Sequence, residues 1–136
     1  MPANMTPELY WTIITSLLTS ILWMPHILQR IIEFKPYEAF RDPRHDVDTT
    51  APWAQRAIRA HTNGVENLVV FGVLALAVHI LGAGTSLTAK AAFIFFVARA
   101  CHYVFYVLGV PWLRTPMFLV GFACQMVLAL TLLGYL

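Results

Sequence analysis

Four long apolar runs, parted by short breaks rich in proline and glycine, decide what this chain folds into. They cover about residues 9–32, 52–81, 87–108 and 116–136. The breaks carry Pro36, Pro43 and Pro52, then Gly82-Ala83-Gly84-Thr85-Ser86, then Gly109-Val110-Pro111. A helix needs about 20 apolar residues to cross a bilayer. The 136 residues divided by four leave 34 per segment, one crossing plus a short connection. The runs are too long for barrel strands and do not alternate. Only 12% of the residues are charged, against about a quarter in a soluble domain. A soluble enzyme, a disordered chain and a multidomain design are excluded. The expected fold is an all-α integral membrane protein, a four-transmembrane-helix bundle forming one domain over residues 1–136.

The basic residues orient the bundle. Arg30, Lys35, Arg41, Arg44, Arg56 and Arg59 surround the first loop and Arg114 lies in the third, whereas only Lys90 adjoins the second. Positive charge stays on the cytoplasmic side, so loops one and three are expected there and both termini outside. No Lys/Arg run suggests nucleic acid. Cys101 and Cys124 both fall in apolar stretches and give no disulfide framework. No basic residue precedes Arg30 and no cleavage site follows a short apolar core, so the first run reads as a retained span rather than a secretory leader.

The informative residues are polar ones inside the spans. Arg56, Arg59, Asn63 and Glu66 are spaced i, i+3, i+7, i+10 and fall within an arc of about 80° on the second helix. Arg99, His102 and Tyr106 repeat the first two of those steps on the third. Thr12, Ser16, Thr19, Trp23, His26 and Arg30 make a milder stripe on the first, where hydroxyls serve as packing glue. His26 reads as an interface residue. By rise per residue, Glu66 lies about 10 Å deeper than Arg59, and Arg99 about 15 Å from the break at Gly109. A lone charge at mid-bilayer costs about 2.5–3.5 kcal/mol on the insertion scale. Glu66 and Arg99 are therefore expected to neutralise each other, within one chain or across an oligomer.

Arginines, an asparagine, a histidine and a tyrosine at a membrane boundary suit an anion with more than one carboxylate or phosphate, because guanidinium forks match those groups. Arg114-Thr115-Pro116 adds a cation, an N-cap hydroxyl and an N1 proline where the fourth helix is expected to start. The helix dipole there favours an anion. A free thiol titrates near 8.5, and two units of lowering, about 2.7 kcal/mol, would leave it largely ionised at neutral pH. No set with metal-ligand spacing accompanies these residues.

The run Arg56-Ala57-Ile58-Arg59-Ala60-His61-Thr62-Asn63-Gly64-Val65-Glu66-Asn67-Leu68 resembles the helix-two signature of the MAPEG family, the membrane-associated proteins in eicosanoid and glutathione metabolism. Arg99-Ala100-Cys101-His102, Tyr106 and Gly109-Val110-Pro111-Trp112-Leu113-Arg114-Thr115 resemble its later signature. Length and layout agree, and the likeness is to short prokaryotic members and microsomal glutathione transferases. It implies a homotrimer in the bacterial inner membrane, with glutathione held as co-substrate between subunits. Carried over, Arg30, Arg59, Asn63, Glu66, Arg99, His102 and Tyr106 would bind glutathione. Arg114 would stabilise the thiolate and Thr115 would contact sulfur. Thr62 stands where some members are basic, and His102 where some carry tyrosine.

Three readings follow. The first is a glutathione-dependent transferase or peroxidase acting on lipophilic electrophiles or lipid hydroperoxides that enter from the bilayer lipids, with neither cysteine as nucleophile. The second is a non-catalytic trimeric scaffold binding a lipid or hydrophobic ligand. The third, a proton pathway through Glu66, Arg99 and His102, is weakened by the apolar Phe93-Ile94-Phe95-Phe96 beyond them.

Overall fold

The computed structural model describes residues 4–41 and 49–136, and every regular element in it is a helix. In chain order these are α1 (Pro7–Ile21), α2 (Met24–Arg41), α3 (Pro52–Ile80), α4 (Ser86–Leu108) and α5 (Pro111–Leu132). Four stretches are long and apolar enough to cross a membrane: Pro7–Tyr37, Pro52–Ile80, Ser86–Leu108 and Pro111–Leu132. α1 and α2 thus make one crossing, broken at Leu22 and Trp23. Pro25 follows the break and has no N–H for the carbonyl of Ile21. Pro43 and Arg44 of the first connection lie outside the described residues.

The bundle is inside out by the standard of a soluble protein. α3 buries Ala54, Ala57 and Ala60 while Val69 and Val73 are exposed, as expected where lipid bathes the outside and small residues let helices approach. α1 buries Glu8, Thr12, Thr15 and Thr19 and exposes Ile13, Leu17 and Ile21. Thr12 and Thr15 bring no unsatisfied hydroxyl inward, since Thr12 donates to Glu8 O and Thr15 to Trp11 O, both at 2.7 Å. This is the packing role that a hydroxyl stripe fills in membranes. α4 lies at the centre, against α5, α1 and α3, whereas α2 packs on α3. In the apolar core Phe71 of α3 stacks on Phe95 of α4, centroids 3.8 Å apart, beside Val78 and Leu128.

The helix ends follow from local chemistry. At one end of the bundle Thr85 and Thr88 form a capping box for α4. The hydroxyl of Thr88 also donates to the buried Glu8 at 2.6 Å, tying α1 to α4. At the other end α4 stops at Gly109, whose φ of 74° suits glycine. Val110 N–H bonds Phe105 O and Gly109 N–H bonds Tyr106 O, the two bonds of a Schellman turn. Pro111 then opens α5 directly, five residues before the start expected at Pro116. Either proline suits a first turn, but the Schellman turn leaves only Gly109 and Val110 between the helices. Thr115 is therefore inside α5 and is not its N-cap, and Arg114 sits in its first turns.

Candidate anion site at the arginine-rich end

α3 and α4 bring part of the expected constellation together. Arg99, on the face of α4 that packs inward, is only 5% exposed. Its Nη2 donates to Asn63 Oδ1 at 2.8 Å and approaches His102 Nδ1 at 3.4 Å. Arginine has no acceptor, so His102 Nδ1 accepts in that contact. One turn on, the His102 ring meets Tyr106 edge-on at 5.5 Å. Arg114 of α5 lies over the Tyr106 ring, 4.5 Å from its centroid. Asn63, Arg99, His102, Tyr106 and Arg114 thus form one continuous chain of contacts across α3, α4 and α5.

Two other arginines lie outside that chain of contacts. Arg56 donates from Nε to Val107 O at 2.8 Å, capping the end of α4 with a cation as its dipole favours. Arg30 on α2 is part-buried. Thr115 is exposed and lines an open groove of about 410 Å³ with Pro111, Trp112 and Pro116.

Within the chain, the expected pairing of Glu66 with Arg99 does not form; the partner of Arg99 is Asn63. The reason is azimuth rather than depth. Glu66 lies about 60° further round α3 than Asn63, away from the buried alanine stripe. Arg59, Thr62, Glu66, Val69 and Val73 share an exposed face. Arg59 and Glu66 make no hydrogen bond or ion pair among the described residues.

Arg99 is consequently a buried cation facing neutral partners. Its Nε and Nη1 are buried without a hydrogen-bond partner. Unpaired buried charge is costly, and an anion reaching those N–H groups would relieve it. The sequence reading passed over Gln125, which is buried on α5 and donates from Nε2 to Asn67 O and Oδ1 at 3.2 and 3.3 Å. A lone amide in the apolar run of the fourth span was the available signal. His61 and Tyr103, discussed below, were also missed.

Fold and site together define a small four-span helical membrane protein with a cationic, hydrogen-bonding interior at one end. The chain belongs to the MAPEG family, whose model matches residues 9–134. No curated protein sequence matches it. Membership assigns it, in general terms, to membrane functions related to glutathione and eicosanoids.

Proposed function

We propose that the protein is a glutathione-dependent membrane transferase or peroxidase that works as a homotrimer with the arginine-rich end toward the cytoplasm. The observation that carries this reading is the buried Arg99 guanidinium, which has N–H groups to spare and no anion beside it among the described residues. Glutathione offers two carboxylates and a thiol. Asn63, Arg99 and His102 fit one carboxylate. Arg30, Arg59 and Glu66 fit the remaining charged groups once a neighbouring copy closes the site.

Trimerisation accounts for the exposed face of α3. A charged side chain facing hydrocarbon costs about 2.5–3.5 kcal/mol, and both Arg59 and Glu66 lie on that face. A second copy covering it would supply partners that a single chain lacks.

Arg114 carries the chemistry. Held over Tyr106 in the first turns of α5, it adds its charge to a helix N-terminus, and both favour a thiolate over a thiol. The thiolate would attack an electrophilic carbon, forming the thioether as a leaving group departs with the bonding pair or as the resulting carbanion takes a proton. Alternatively it would attack the terminal oxygen of a hydroperoxide, becoming a sulfenic acid as the alkoxide leaves and takes a proton. A second glutathione would then convert the sulfenic acid to the disulfide and water. The groove beside Thr115, lined by Pro111, Trp112 and Pro116, would admit the lipophile.

Thiolate absorbance on adding glutathione to purified protein in detergent tests this reading. A saturable rise in wild type that Arg114→Ala abolishes is expected. No rise from an intact trimer would overturn it and leave the lipid-binding scaffold as the better description.

A further inference from the structure

The break between α1 and α2 is held by two side chains that neither the sequence signatures nor the anion site explains. Thr19 O, whose in-helix partner would be the N–H of Trp23, accepts instead from Leu22 N–H at 3.3 Å and from His61 Nε2 at 3.1 Å. A carbonyl only accepts, so Nε2 carries the proton. Leu22 O, at the C-cap of α1 within the break, accepts the hydroxyl of Tyr103 at 3.0 Å. The donors come from α3 and α4, the helices that supply Asn63 and Arg99.

These groups are contiguous with the site. Thr19, Leu22, His61, Tyr103 and Arg99 line one cavity of about 10 Å³, room for no more than about one water. The wall of the break is thus packed against the arginine with little slack. Beyond the break, α2 rests on α3. Midway along α2, two residues before the non-helical Lys35 (φ 64°), Glu33 accepts Thr49 Oγ1 at 2.8 Å and Thr50 N–H at 3.0 Å. The stretch from the break to Glu33, which carries Arg30, is therefore tied by hydrogen bonds at the break and again at Glu33.

We propose that His61 and Tyr103 are positioning residues: by bonding the carbonyls of Thr19 and Leu22 at the α1–α2 break, they set the direction in which α2 presents Arg30 to the anion site. The inference rests on the reading of Arg30 as a glutathione contact, and it names side chains that act through that residue.

The test uses the full chain in detergent. Glutathione affinity is measured by calorimetry for wild type, Tyr103→Phe, His61→Leu and His61→Gln, each alone and with Arg30→Ala. A net hydrogen bond corresponds to about a fivefold change in an equilibrium constant. Tyr103→Phe and His61→Leu should each weaken binding about fivefold. His61→Gln keeps an N–H near the place of Nε2 and should stay within about twofold of wild type. In the Arg30→Ala background the Tyr103→Phe effect should fall below about twofold, because residues acting through one another are not additive. Penalties that simply multiply would overturn the proposal.

A second measurement does not depend on glutathione. Spin labels at the exposed Leu28 of α2 and Val104 of α4, in a spin-diluted sample with Cys101 and Cys124 replaced by alanine, report the placement of α2. Tyr103→Phe should shift or broaden that distance distribution, and an unchanged distribution would overturn the proposal. If wild type binds no glutathione, the proposed function falls while the spin-label result still decides whether His61 and Tyr103 hold α2.

Discussion

Replacing Arg99 with methionine should separate stability from ligand binding. The side chain is 5% exposed, and its Nε and Nη1 have no partner in the chain. A buried donor left unpaired costs about 1–3 kcal/mol, so the two nitrogens together cost about 2–6 kcal/mol. Against that stands the hydrogen bond from Nη2 to Asn63, worth about 1.5–3 kcal/mol because the donor is charged. Methionine fills much of the space of the stem without polar hydrogens. The balance runs from about 1 kcal/mol against the variant to about 4.5 kcal/mol in its favour. Ligand-free Arg99→Met should therefore resist SDS-induced unfolding, followed by circular dichroism in mixed micelles, to within about 1 kcal/mol of wild type or better. Glutathione at a hundred times its dissociation constant should stabilise wild type by about 2.7 kcal/mol and leave the variant unmoved. A ligand-free variant weaker than wild type by more than about 2 kcal/mol would refute the reasoning. Such a loss would mean that the guanidinium already has its counter-ion, supplied by a neighbouring copy.

Thr88→Val should destabilise by about 2–4 kcal/mol in the same unfolding assay. It removes the hydroxyl that Glu8 accepts and half of the α4 capping box together. Glu8→Gln, which removes the charge and keeps Thr88, should cost less, and the reverse order would contradict this account of the buried carboxyl. Gly109→Ala should lose about 1–2 kcal/mol, because φ is 74° there and the new Cβ would stand 3.3 Å from the guanidinium carbon of Arg56. Tyr106→Leu removes the ring beneath Arg114, an interaction worth about 0.5–1 kcal/mol. It should reduce the thiolate signal about two- to fivefold without abolishing it, and a signal as low as that of Arg114→Ala would give Tyr106 a larger role than stacking.

Much of the fold is legible because hydrocarbon imposes simple rules on sequence. The four spans and their breaks follow from run length and from proline and glycine punctuation. The stripe on α4 was equally readable: the steps from Arg99 to His102 to Tyr106 do place three side chains in one contact chain. The start of α5 was not, since Pro111 and Pro116 both satisfy the same local preference. Only the Schellman turn at Gly109 chooses between them. The break ahead of Pro25 follows from the N–H that proline lacks, but the side chains that satisfy it come from positions 42 and 81 residues away. No local pattern connects Thr19 with His61 or Leu22 with Tyr103.

The misassigned partner of Arg99 shows where periodicity stops being informative. An arc of about 80° on α3 contains Asn63 and Glu66 alike, and pattern alone treats them as one face. Packing cuts that arc in two, because the alanine stripe sets which edge turns inward. Asn63 falls on the inward edge and meets Arg99, while Arg59 and Glu66 turn outward. A single amphipathic stripe therefore serves two surfaces, one inside the chain and one at its boundary. Along the inward edge the amides continue the pattern, with Asn67 bonding Asn63 O and Gln125 bonding Asn67. A neutral amide can be sealed inside at the cost of ordinary hydrogen bonds, whereas a carboxylate needs a counter-ion at the same depth. Along this stretch α3 thus keeps amides on its inward edge and carries Arg59 and Glu66 on its outward face, the face that the proposed trimer would cover.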